Sequence, residues 1–308
     1  LRRLTAFEAL GRGFANVRAN WELLPLQLAA LLLAVTLTVA SVLPLGIALG
    51  FTFAGVKEPA ELLERLLSLD TWLSAGVLAS LAGCLLLGGL VIGAYSWFQA
   101  GIFGVLVAGD RQAGPGPRRP QALFRTFSWG DFAGWAAARF WRVIGWYHYY
   151  FLILLLLFGL MGILLIGSLR LGMAEGPAAG IGLGCGGALP LVFLLLFCSV
   201  LFTAAKADVV REDSGARASW YRAARVVGKR LGGALLLLLL FFAVSMAISM
   251  VLMPFQFFSQ LAARQNPFAY FGVQTFVSLI QTAVGTVLGL VYAAAFVALV
   301  RAEVPDRA

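Results

Sequence analysis

A chain of 308 residues that is 61% hydrophobic and only 12% charged, with a mean hydropathy of +0.91, falls outside the ordinary soluble class, where charged side chains make up about 25%. The net charge of +9 would suit a nucleic-acid partner, but the charges sit in the gaps between long uncharged runs, so no nucleic acid is expected. No charged residue lies between Glu22 and Lys57, Asp70 and Asp110, Arg142 and Arg170, Glu175 and Lys206, Arg230 and Arg264, or Arg264 and Arg301. Each interval exceeds the roughly 20 residues that a helix needs to cross a bilayer. The expected fold is an all-α integral membrane protein with six transmembrane helices.

In chain order, residues 5 to 22 read as a short amphipathic elbow helix. Thr5 and Glu8 have capping-box spacing, and Phe7, Leu10, Phe14, Val17 and Trp21 recur on a face opposite Glu8 and Arg12. The first span runs from about Leu23 to Phe53, with a kink expected at Pro44. KEPAELLERLLSLD, Lys57 to Asp70, suggests a helix lying flat on the opposite interface. The second span, Thr71 to about Ala108, carries Gly89 and Gly93 at a spacing that would let another helix approach closely. GPGPRRP, Gly114 to Pro120, is a loop.

A second elbow is expected over Asp131 to Val143, with Phe132, Trp135, Ala136, Phe140 and Val143 opposing Arg139 and Arg142. It leads into a third span whose entry, WYHYYF from Trp146 to Phe151, reads as an interfacial aromatic belt. The lone histidine, His148, reads as another amphipathic ring in that belt. The third span ends near Leu171, and the fourth runs from about Gly180 to Ala205. Five glycines between Gly180 and Gly187, followed by Pro190, suit either close packing or a broken helix lining a cavity.

The third elbow, Ser214 to Arg230, is the most pronounced. Trp220, Ala223, Ala224 and Val227 share one face, and Arg222, Arg225 and Lys229 occupy another, so the helix would lie with its apolar side in the acyl boundary. Its cations, with Arg230 and with Arg139 and Arg142 of the second elbow, are candidates for headgroup or partner contacts. The plain alternative is that they only obey the positive-inside rule. The fifth span, Leu231 to about Ala262, and the sixth, about Phe271 to Val300, complete three elbow-plus-hairpin units over about 1–113, 120–206 and 214–303.

Four Lys and Arg precede the first span, six lie between the second and third, seven between the fourth and fifth, and two follow the sixth. Lys57, Arg65, Arg170 and Arg264 are the others. That alternation predicts cytoplasmic termini and elbows. The expected setting is a multi-pass protein of a bacterial inner membrane, with lipids and other membrane subunits as partners.

Catalytic candidates are sparse. The chain has no GxxxxGK[ST], HExxH or GxSxG motif, and Cys84, Cys185 and Cys198 lie in apolar runs without CxxC spacing, so no cofactor, metal or disulfide is expected. The expectation is therefore a non-catalytic accessory or scaffold protein. Two uncharged polar stripes stand out. Ser245, Ser249, Gln256 and Gln260 mark the fifth span, and Gln274, Ser278, Gln281, Gly285, Gly289 and Tyr292 mark the sixth. They suit interhelical hydrogen bonds of about 0.6 to 2 kcal/mol each, or a cavity for a lipid headgroup or small polar solute in a permease or lipid-handling protein.

Three segments, LTAFEALGRGFANVRANWELLPLQLAALLL, FAGWAAARFWRVIGWYHYYFLILLLL and ADVVREDSGARASWYRAARVVGKRLGGALLLLLL, resemble the six-span membrane domain attached to some glycerophosphodiester phosphodiesterases and also occurring alone. The resemblance implies an anchoring or accessory module. In those enzymes the chemistry belongs to a separate soluble barrel, for which this sequence has no counterpart, so no catalytic residue carries over. The chain opens at Leu1 without an initiator methionine or a signal-peptide pattern, which leaves room for residues upstream.

Overall fold

A computed structural model describes residues 4–54, 56, 61, 64–65, 68–211, 215–263 and 267–303. The elements are α1 (Ala6–Ala19), α2 (Leu23–Thr52), α3 (Leu69–Leu73), α4 (Ala75–Ala113), a 3-10 turn (Gln121–Phe124), α5 (Trp129–Glu175), α6 (Pro177–Arg211), α7 (Ala216–Lys229), α8 (Leu231–Ala263) and α9 (Pro267–Glu303). Among the described residues, α2, α4, α5, α6, α8 and α9 are each long and apolar enough to cross a membrane. The flat helix expected over Lys57–Asp70 lies largely outside the described residues, although Glu61 and Arg65 there form an ion pair at 2.8 Å.

The helix starts follow local chemistry. Thr5 Oγ1 accepts from the Glu8 N–H at 3.2 Å while the Thr5 N–H donates to Glu8 Oε2 at 2.8 Å, completing the expected capping box of α1. At α5, Ser128 Oγ accepts from the Asp131 N–H at 3.0 Å and donates to Asp131 Oδ2 at 2.7 Å. That helix is 47 residues long, about 70 Å at 1.5 Å per residue, far more than a bilayer's hydrocarbon needs. The surplus is the second elbow, which therefore does not form a separate helix: Asp131–Val143 continues unbroken into the third span. In contrast α1 and α7 are distinct helices of 14 residues. Pro44, Pro190 and Pro254 all sit inside continuous helices. The fourth span is likewise unbroken, which removes the broken-helix alternative.

The buried core occupies one end of the bundle. It comprises Leu23 and Leu26 of α2, Ile102 to Val107 of α4, Phe132, Val143 and Trp146 of α5, Val200 to Val210 of α6, and Leu290 to Val300 of α9. Further along the spans the side chains face outward: Leu85, Leu86, Leu155 and Phe158 are all exposed, a surface matched to lipid tails. Close helix contact occurs at glycines within the core. A Cβ at Gly101 or Gly104 would overlap the Phe132 or Trp135 side chain, and one at Gly13 would stand 2.6 Å from the Val291 carbonyl. Gly89 and Gly93 face open space instead, and no helix among the described residues packs on that pair. Gly180, Gly184 and Gly187 pack against Ser168, Gly172 and Leu164 of α5, in line with the packing reading of that run.

Candidate functional site

Both elbow helices are fixed to the span ends by polar contacts. In α1, Phe7, Phe14 and Trp21 are exposed, whereas Arg12, Asn16 and Asn20 are buried. Arg12 turns inward because Asp110, near the end of α4, awaits it: Arg12 Nε and Nη2 donate to Asp110 Oδ1 at 2.9 and 2.5 Å. Arg12 also donates to the carbonyls of Gly114, at 3.0 Å, and Gly116. Those two glycines have φ of 71° and 122°, a left-handed conformation that turns the GPGP loop back over the guanidinium. Arg301 of α9 completes the cluster, donating to Asp110 Oδ2 at 3.0 Å. Asn20 Oδ1 accepts the N–H groups of Thr126 and Phe127 at 3.0 and 2.9 Å, joining the loop before α5 to α1.

The third elbow uses a second buried carboxylate. Asp208 of α6 accepts from Arg222 of α7 at 2.7 Å and lies 3.9 Å from Arg211. On the apolar side, Trp220 stacks on Trp146 at 5.9 Å and 9° and meets Phe202 edge-on at 5.1 Å. Such pairs contribute about 0.5 to 1.5 kcal/mol each beyond burial. This face, with Ser219, Ala223, Val226 and Val227 buried, packs on the protein rather than entering lipid, and Ala224 points outward. Arg230 pairs with Glu303 and donates to the Leu4 carbonyl at 3.2 Å, so both ends of the described chain meet there.

The expected headgroup or partner cations therefore divide. Arg222 and Arg230 are committed to internal ion pairs. Arg139 lies over the Trp135 ring at 5.7 Å, and Arg142 is partly buried. Arg225 and Lys229 are exposed on the outward face of α7, with Arg225 over the Tyr221 ring at 5.4 Å. The WYHYYF belt is corrected too: Trp146 and Tyr147 are buried core residues, while His148 and Tyr149 face outward. Of the three cysteines, all of them free thiols, only Cys198 is buried.

In the two polar stripes, Ser249, Gln260 and Ser278 are exposed, Ser245, Gln256, Gln274 and Gln281 are partly buried, and none of them lines the cleft described next. The stripe of α9 enters a cleft only at its end nearest the core, through Gly285, Gly289 and Tyr292. That cleft, about 430 Å³, lies among α2, α4, α6 and α9, and α8 contributes nothing to its lining. Its polar groups form a chain: Lys206 Nζ donates to Gln99 Oε1 at 3.0 Å, Gln99 Nε2 to Gln27 Oε1 at 2.7 Å, and Gln27 Nε2 contacts the Tyr95 hydroxyl at 3.5 Å. Lys206 Nζ also lies 4.8, 5.3 and 5.8 Å from the ring centres of Phe103, Trp146 and Tyr147, within cation–π range.

Sequence reasoning passed over these residues because it ended the fourth span at Ala205 and counted Lys206 as a loop cation. In fact α6 continues to Arg211, carrying Lys206 and Asp208 into the packed end. A usable signal did exist: Gln27 and Gln99 are isolated amides in spans one and two, and a polar side chain in a membrane segment usually faces a partner or cavity. Among the described residues no group of His, Cys, Asp and Glu is arranged to hold a metal ion. No family model, curated protein or solved structure matches the chain.

Proposed function

We infer that this multi-pass membrane protein is a non-catalytic accessory or scaffold subunit of a larger assembly in a bacterial cytoplasmic membrane, with its arginine-rich end on the cytoplasmic side. The observation that carries the reading is how the two buried carboxylates are used. Acid–base chemistry needs a titratable group free to exchange its proton with a substrate. Asp110 instead has both oxygens engaged by Arg12 and Arg301, and Asp208 accepts from Arg222 through Oδ2 while its Oδ1, 3.9 Å from Arg211, has no hydrogen-bond partner among the described residues. Both carboxylates join elbow helices to span ends and together form a polar collar. The likeness to the phosphodiesterase membrane domain supports the same reading, since that module stands apart from its catalytic barrel. Mild-detergent purification from native membranes with mass spectrometry is the test. A stoichiometric set of other subunits is expected, and phosphodiester hydrolysis by the purified protein would defeat the proposal.

A second reading, a permease or lipid-handling protein, is favoured by the cleft around Lys206 rather than by the stripes of the fifth and sixth spans. It predicts that lipid or solute flux in proteoliposomes responds to Lys206→Gln and not to Gln256→Leu.

A further inference from the structure

The collar satisfies its buried cations with carboxylates: Arg12 and Arg301 reach Asp110, Arg222 reaches Asp208, and Arg230 reaches Glu303. Lys206 differs. It is drawn into the protein, yet its partners are one amide oxygen and three aromatic rings, none of which carries a negative charge. Among the described residues no carboxylate pairs with it. An ammonium group taken out of bulk water without a counter-charge is costly, and in membrane proteins such a group marks a functional site.

Three features of the cleft define the anion that suits it. The first is its set of donors. Lys206 has three N–H groups and gives one to Gln99, and the buried Tyr292 hydroxyl has no hydrogen-bond partner among the described residues. The second is its amphipathic lining, in which Leu31, Phe103, Leu290 and Ala293 stand beside the polar groups in a volume of about 430 Å³. That is the size range of small-molecule sites and exceeds what one inorganic anion fills. The third is the pair Gly285 and Gly289. Both line the cleft, and a Cβ at either would meet nothing within 4 Å, so helix packing does not require them. Glycine costs helix stability relative to alanine, and here its effect is to widen the cleft.

We propose that this cleft binds an anionic amphiphile, with its phosphate or carboxylate group on Lys206 and the Tyr292 hydroxyl and its hydrocarbon against Leu31, Phe103 and Leu290. The inference shares its cleft with the lipid-handling reading and adds the charge of the headgroup, but it concerns binding alone, and a bound lipid that is never transported satisfies it.

The test is native mass spectrometry of the delipidated full chain in non-ionic detergent, titrated separately with phosphatidylglycerol, phosphatidylcholine and inorganic phosphate. One equivalent of phosphatidylglycerol is expected to bind about five-fold or more tightly than phosphatidylcholine, the discrimination that one lysine supplies near a headgroup. Lys206→Gln should erase the preference while Lys206→Arg keeps it. Gly289→Leu, which fills the cleft without touching the charge, should release the lipid altogether. An unchanged preference in Lys206→Gln, or undiminished retention in Gly289→Leu, overturns the site. Inorganic phosphate displacing the lipid in a Lys206-dependent way assigns the cleft to a free anion and overturns the amphiphile. Flux in proteoliposomes decides the lipid-handling reading separately, so loss of binding and loss of transport are distinct results.

Discussion

Asp110→Asn is the sharpest probe of the collar. The Arg12 and Asp110 side chains are each 3% exposed, and Arg301 is 20% exposed. Asparagine keeps the shape and removes the charge, leaving two guanidinium groups at the packed end of the bundle without their carboxylate. Breaking a buried ion pair by removing one partner costs about 3 to 5 kcal/mol. Arg12 retains the Gly114 and Gly116 carbonyls and Arg301 retains the Asp110 carbonyl, which places the expectation near the lower end, about 3 kcal/mol. The assay is reversible unfolding in mixed micelles followed by circular dichroism, with Glu22→Gln as an internal control. Glu22 pairs with Arg125, but those side chains are 22% and 45% exposed, and an exposed pair contributes only about 0 to 1 kcal/mol. A double substitution, Arg12→Gln with Asp110→Asn, should cost less than the sum of its parts because it removes the stranded charge as well as the pair. Equal, small losses for Asp110→Asn and Glu22→Gln would refute the reasoning.

Other outcomes follow from the same contacts. Gly13→Leu should detach α1 from α9, seen as faster amide exchange across Ala6–Ala19, because its Cβ would meet the Val291 and Ala295 backbone at 2.6 and 2.7 Å; Gly11→Ala, facing open space, should leave exchange unchanged. The hydrogen bond from Arg125 holds the Glu22 carboxyl below its usual range, so its small contribution to stability is present at neutral pH and is lost as pH falls through that lowered value. Acid titration of unfolding should accordingly show a slightly shallower loss in Glu22→Gln than in the parent. Gln256→Leu and Gln281→Leu, on side chains outside the cleft lining, should leave lipid retention intact.

The spans were legible because uncharged stretches longer than a bilayer have few other uses, and the six helices fall where those stretches lie. The capping box at Thr5 and Glu8 was legible for the same local reason. The inward turn of Arg12 was not. Periodicity sorts residues into faces but cannot say that a carboxylate 98 positions away will make the polar face the buried one. Lys206 and Asp110 fall beyond the expected spans, yet both lie within long helices and meet partners supplied by other helices. The cleft itself was not legible because it forms between α9 and the first, second and fourth spans, which lie far from α9 in sequence.

The claim that all three cation-rich segments share one cytoplasmic face is tested most directly by single-cysteine labelling. With Cys84, Cys185 and Cys198 replaced by alanine, cysteines introduced for Arg118, Arg217 and Glu175 would be challenged with a membrane-impermeant maleimide in intact and permeabilised cells. The account predicts that Glu175→Cys is labelled in intact cells, and that Arg118→Cys and Arg217→Cys are labelled only after permeabilisation. Labelling of Arg118→Cys and Glu175→Cys from the same side would contradict it.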